Sequence, residues 1–166
     1  MSRTSWWGAK VRRFRAHVGA RVLPAERADL ATWVSPAQLA VFDGMHVADK
    51  RHGLDVVATL RAGGSTDPEL LLAGLLHDAG KGPTVGVWPR VAWSLGQGYG
   101  GWVVRVARIV PGFGNSLDLL RDHADASARL AEAAGCTPRT VDLIRNQADP
   151  VDRDAGRLLF LADEAN

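Results

Sequence analysis

The run LLLAGLLHDAGK, residues 70–81, constrains this chain more than any other segment. It places His77 and Asp78 at the end of a Leu/Ala helix, where burying two unpaired polar groups is unfavourable. Consecutive residues on a helix point about 100° apart, so the two side chains converge only on a point between their directions. A shared cation at the helix surface is such a point. The alternative is a core histidine with its hydrogen bonds satisfied, and an Asp78 paired with Lys81 one turn on.

The surrounding pattern is helical throughout. Ser35-Pro36-Ala37-Gln38 combines a Ser cap, a Pro in the first turn and a Gln in the capping-box position. The next stretch carries His52, Val56, Val57 and Leu60 and stops at Gly63-Gly64. Thr66-Asp67-Pro68-Glu69 opens the following helix, predicted to run to Gly80. Residues 88–110 read as two short helices around a glycine turn, and GQGYGG as a flexible rim. Pro111–Gly114 reads as a loop. Helices are then predicted over Leu117–Ala134, from Thr137-Pro138 onward, and over Ala155–Glu164. Strand alternation is nearly absent and nothing repeats. The expectation is one all-α bundle over residues 35–166, with residues 1–34 a basic helical extension packed on it. A first helix from about Trp6 to Arg21 carries Lys10, Arg12, Arg13 and Arg15, as a solvated face, as a contact for an acidic surface or as a polyanion-binding run.

The bulk numbers fit a globular domain. Of 166 residues, 46% are hydrophobic and 23% charged, and the formal net charge is +2, weak evidence for any particular partner. No stretch has the roughly 18 apolar residues of a spanning helix, and Trp6 and Trp7 are followed by charges instead of a signal-peptide core. Cys136 is the only cysteine, which excludes an internal disulfide and a thiolate metal cluster, and no disulfide-linked partner is expected. A cytoplasmic protein is expected, without membrane contact. A homodimer and a protein partner stay open.

Two further residues bear on His77 and Asp78. His52 shares a helical face with Val56 and Leu60, and Asp163 lies one turn beyond Leu159 and Phe160, so both are predicted to point inward. Two imidazoles and two carboxylates form a nitrogen and oxygen set suited to Mn, Fe, Ni, Co, Zn or Mg. A cation so held would lower the pKa of a bound water and polarise a substrate. Asp49, one turn before His52, could hold the imidazole ring from behind or pair with Lys50 or Arg51. Arg90, Arg105, Arg108 and Arg145 are candidate phosphate anchors. His46 and His17 have no such placement. There is no GxxxxGK[ST] loop, HExxH or nucleophile elbow, and GQGYGG lacks the strand of a dinucleotide fingerprint.

The order H…HD…D, with DKRHGLDVVATL followed by DPELLLAGLLHDAGK, resembles the HD-domain superfamily of metal-dependent phosphohydrolases, from about Ser35 to Asp163. The resemblance implies a bundle of five or more helices and a divalent metal held by His52, His77, Asp78 and Asp163. It implies hydrolysis of a small phosphorylated molecule or nucleotide by a metal-bound water, which Asp78 orients or deprotonates. His123 matches the first extra histidine of two-metal members. The next one would lie in LIRNQADP, where this chain has Asn146 and Gln147, so one strongly bound metal is expected and cyclic-dinucleotide hydrolysis is disfavoured. His123 could then hold the phosphate or protonate the leaving group, or be an ordinary surface histidine. Lys81 could meet phosphate or pair with Asp78. A non-catalytic binding or regulatory module is the reading of the other class.

Overall fold

The structure is a computed structural model that describes residues 19–166. Most of the first predicted helix, with His17, lies outside the described residues. Residues 19–23 are not helical, so no helix reaches Arg21.

Among the described residues the fold is all-helical and has no strand. The helices are α1 (Pro24–Leu30), α2 (Pro36–Asp43), α3 (Val47–Ala62), α4 (Pro68–Leu76), α5 (Val87–Tyr99), α6 (Trp102–Ala107), α7 (Phe113–Ala133), α8 (Pro138–Arg145) and α9 (Ala155–Ala165), with a 3-10 turn at Ala79–Lys81. Their starts are set locally. Ser35 Oγ accepts from Gln38 N–H at 3.3 Å while Gln38 Oε1 accepts from Ser35 N–H at 2.8 Å, a complete capping box. Asp67 Oδ1 caps α4 by accepting from Glu69 and Leu70 N–H. His46 caps α3, its Nδ1 accepting from Ala48 N–H at 3.2 Å, which gives a structural task to a histidine that sequence left without one. α1 lies within the 1–34 extension expected to be helical, at a position the sequence did not single out. Glu26 opens it by reaching back to Leu23 N–H at 2.8 Å, and Leu30 and Val34 enter the core. The helix α7 begins a turn earlier than expected, after Gly112 in the left-handed region at φ 83°, so that Phe113 and Gly114 are helical.

The helix α4 is the central strut. Every residue from Leu70 to Leu76 is buried, because α3, α8 and α9 all pack against it. Phe42, Leu75, Leu76, Ile144 and Leu159 have no exposed surface. Helices of 7 to 11 residues such as α1, α2, α4, α8 and α9 are too short to persist alone, so this mutual burial holds them. The hairpin of α5 and α6 is different: α5 buries only Pro89 and Gly96, and α6 buries nothing. No helix among the described residues is long and apolar enough to cross a membrane.

Candidate metal centre

The predicted helix over 70–80 ends early. α4 stops at Leu76, His77 closes it at φ −56° and ψ −27°, and Asp78 turns out of helical geometry at φ −101° and ψ 4°. The HD pair therefore sits on a tight turn and not on two faces of one helix. The cause is tertiary. Gly80 N–H donates to Ser127 Oγ of α7 at 2.8 Å, and a Cβ at Gly80 would lie 2.6 Å from Ser127 N and closer still to the His123 carbonyl oxygen. Only glycine allows the 79–81 turn to touch the α7 backbone. On the opposite side, a Cβ at Gly53 would meet Leu75 O at 2.5 Å. That close approach of α3 to α4 sets His52 beside His77, with ring centroids 5.1 Å apart.

Three side chains converge there. His52 Nε2 lies 2.8 Å from Asp163 Oδ1, and His77 Nε2 lies 3.6 Å from the same oxygen. One donor atom from each of His52, His77 and Asp163 falls within 4.8 Å of the other two. Donors sharing one cation at about 2.1 Å each stand roughly 3 to 3.5 Å apart, and this cluster needs little movement to reach that spacing. His77 is the informative member. Its Nδ1–H donates to the Gly74 carbonyl at 2.9 Å, since a carbonyl can only accept. The hydrogen is thereby fixed on Nδ1 and the Nε2 lone pair faces the cluster, the arrangement that prepares an imidazole for a metal. That Nε2 is buried and has no hydrogen-bond partner. In the neutral ring this lone pair is an orphaned buried acceptor, unfavourable by about 1–3 kcal/mol, which either a proton or a cation would satisfy. These residues fit a divalent cation.

Asp78 adjoins the cluster. Its Oδ1 is 3.7 Å from His77 Nε2 and 3.6 Å from His123 Nε2, and its Oδ2 accepts from Lys81 Nζ. The pairing with Lys81 that sequence held as an alternative is thus present, while Oδ1 still faces the imidazoles. His123 repeats the device of His77: Nδ1–H donates to Leu120 O at 2.8 Å, leaving Nε2 turned inward. It is half-buried in the site and not a surface histidine.

Electrostatics reflect a surplus of carboxylate. Burial opposes charge on His77, but Asp78 and Asp163 overcome it and push its pKa up to about 9. Burial likewise opposes charge on Asp163, yet His52 and His77 hold it well below the usual carboxylate range. Asp78 is held well below its ordinary value against its own burial, by Lys81 first and then His77. Burial pushes His123 down and keeps it neutral.

Other candidates are placed differently. Asp49 neither supports the His52 ring nor pairs with Lys50 or Arg51. It is buried and gripped by Arg90 through two hydrogen bonds of 2.6 and 2.7 Å. Lys50 turns to Asp43 O, and Arg51 pairs with Glu26 and Asp55. Arg90 therefore already has a carboxylate partner. Arg108 pairs with Asp118 and Arg145 with Asp142. Neither they nor Arg105 line the cleft. Gln147 donates from Nε2 to the His77 carbonyl at 3.0 Å and so props the HD turn from behind. Only Gly100 and Gly101 of GQGYGG form the expected break; Gly96–Tyr99 is helical, and Gln97 lines the cleft.

The site opens into a cleft of about 650 Å³. Asp78, Lys81, His123 and Asp163 line its floor, while Val87, Trp88 and Val91 of α5 line one wall. Sequence reasoning missed this wall, although Trp88, Trp93 and Trp102 and the valines of 85–104 marked an apolar stretch there. Comparisons with protein-family models, curated proteins and solved structures find no match to this chain, so the site rests on its own geometry.

Proposed function

We propose that this protein is a metal-dependent phosphohydrolase of the HD type, in which His52, His77, Asp78 and Asp163 hold one divalent cation. The observation that carries the reading is the buried, partnerless His77 Nε2, aimed by its Nδ1–H···O=C bond at the Asp163 and Asp78 carboxylates. A divalent cation held there lowers the pKa of water and draws electron density from a phosphoryl oxygen. The chain's own side chains supply the rest. Asp78 Oδ1, next to His123, orients the attacking water. His123 is neutral with its hydrogen on Nδ1, so its Nε2 accepts the proton of that water and returns it to the leaving oxygen. The water oxygen bonds to phosphorus as the ester P–O bond breaks, and the alcohol leaves with the returned proton. Lys81, on the cleft floor, exchanges Asp78 for the phosphoryl oxygens when substrate enters. The substrate is a phosphomonoester or a nucleotide.

One observation favours a non-catalytic regulatory module: Lys81 already neutralises Asp78, as it would in a site kept for structure. Metal analysis and turnover decide between the two. Protein supplemented with Mn, Ni, Co or Mg is expected to retain close to one cation per chain and to hydrolyse members of a phosphatase screen. H77A and D163A are expected to weaken cation binding by about a hundredfold or more. H77A and D78A should abolish turnover. Absence of bound cation after supplementation would remove the site, whereas cation without turnover would leave the regulatory reading.

A further inference from the structure

The cleft joins a charged floor to an apolar wall, and its charges are already matched. Arg51, Lys81 and Arg90 are its three cationic side chains among the described residues, and they face the five carboxylates of Asp49, Asp55, Asp78, Asp163 and Glu164. Arg90 is spent on Asp49, Arg51 on Glu26 and Asp55, and Lys81 on Asp78. The lining therefore carries a net −2, which one divalent cation brings to zero. A polyphosphate would add several further negative charges with few unspent guanidinium or ammonium groups to meet them. A single phosphoryl group needs only the cation and one ammonium, that of Lys81, turned to it from Asp78.

Beyond that polar end, the cleft offers mainly carbon. Val87, Trp88, Val91 and Trp93 of α5 line it together with Leu120 of α7 and Phe160 of α9. Trp88 is 66% exposed, a large indole left in water at the rim of a cavity. A cavity of about 650 Å³ is of the size that buries a drug-sized molecule and far exceeds a lone phosphate.

We infer that the ligand of this site is an amphiphilic monophosphate: one phosphoryl group at the cation and Lys81, and an aliphatic or aromatic body along the α5 wall. The inference rests on the metal-site reading above and narrows the substrate from phosphomonoesters and nucleotides at large to those with an apolar body.

The test uses the full chain loaded with Mn²⁺ and a series of non-hydrolysable n-alkylphosphonates from ethyl to octyl, with binding followed by calorimetry. Affinity should rise roughly three- to fourfold for each methylene that reaches the wall, levelling off when the cleft is full. Trp88→Ala, with its bound Mn²⁺ retained, should reduce the octyl-to-ethyl affinity ratio several-fold. An affinity that is flat or falls with chain length overturns the inference, as does an absence of phosphonate binding. Hydrolysis of the matching alkyl phosphates is measured separately. A rising binding series without hydrolysis supports the ligand class and overturns the phosphohydrolase reading, whereas hydrolysis with a flat series does the reverse.

Discussion

The two sides of the cleft are built by opposite means. Its floor stands on α4, whose seven residues from Leu70 to Leu76 are all buried, and on the turn that Gly80 presses against α7. Its wall is α5, in which only Pro89 and Gly96 are buried, and α6 behind it buries nothing. The donor atoms of the candidate cation cluster come from the packed side, where side chains have little freedom. The apolar wall comes from the side with few core contacts, which opens at a lower free energy than the core. The molecule thus separates a fixed polar site from an adjustable apolar one, and Arg90 to Asp49 is a buried ion pair that ties them.

The harshest way to break that contrast is to remove the contact under the floor. Gly80→Ala should destabilise the protein by about 3 kcal/mol or more, because its Cβ meets backbone atoms of α7 that cannot swing aside. Urea denaturation would measure the loss, and cation binding should vanish with it. Near-normal stability in this variant would mean that the HD turn is not pinned to α7.

Cutting the tie between floor and wall comes next. Arg90→Ala strands the buried Asp49 carboxylate, and breaking such a pair costs about 3–5 kcal/mol when the partner stays charged. The effect should be local. Amide exchange is expected to accelerate across Val87–Ala107, while Leu70–Leu76 stays protected. Equal acceleration in both segments would show floor and wall to be one cooperative unit.

A gentler probe is pH. The folded-state pKa of His77 lies near 9, above its ordinary value of 6.5, so its protonation stabilises the cation-free protein fully below about pH 6.5. That contribution is lost as pH rises through about 9, and it amounts to at most about 3 kcal/mol. Thermal unfolding of the cation-free protein should therefore fall in midpoint between pH 6.5 and 9. The Mn²⁺-loaded protein should not follow it, since the cation replaces the proton. Parallel pH profiles would mean that His77 is not a ligand.

Three caps whose partners lie within a turn were legible in the sequence, while those of His46 and Glu26 were not. Ser35 with Gln38, Asp67 with Glu69 and Leu70, and Thr137 with Thr140 are local caps, and each helix start followed from its own few residues. The gathering of His52, His77 and Asp163 was also legible, because each lies on an apolar helical face that has to turn inward. What escaped were decisions taken across the fold. A Leu/Ala run gives no sign of where it stops, and α4 ends at Leu76 because α7 meets Gly80. Asp49 finds Arg90, 41 residues away, where local spacing offered Lys50 and Arg51. The wall escaped because a glycine-broken apolar stretch looks the same whether it covers a cavity or fills a core.

His52 and Asp163 touch although 111 residues separate them in the chain. A cation gripping both, with His77 between, closes a loop longer than two thirds of the polypeptide, but unlike a disulfide it lets go when the chain unfolds. It therefore stabilises only the folded state, by an amount that depends on supply: above the dissociation constant, each tenfold rise in free cation adds about 1.4 kcal/mol. Asn166 fastens the far end of α9 to Thr59 Oγ1 at 2.9 Å, so tension on that helix is shared between a fixed hydrogen bond and an adjustable clasp. With the proposed cation in place, how firmly the last helix is held would track the free divalent cation around the protein.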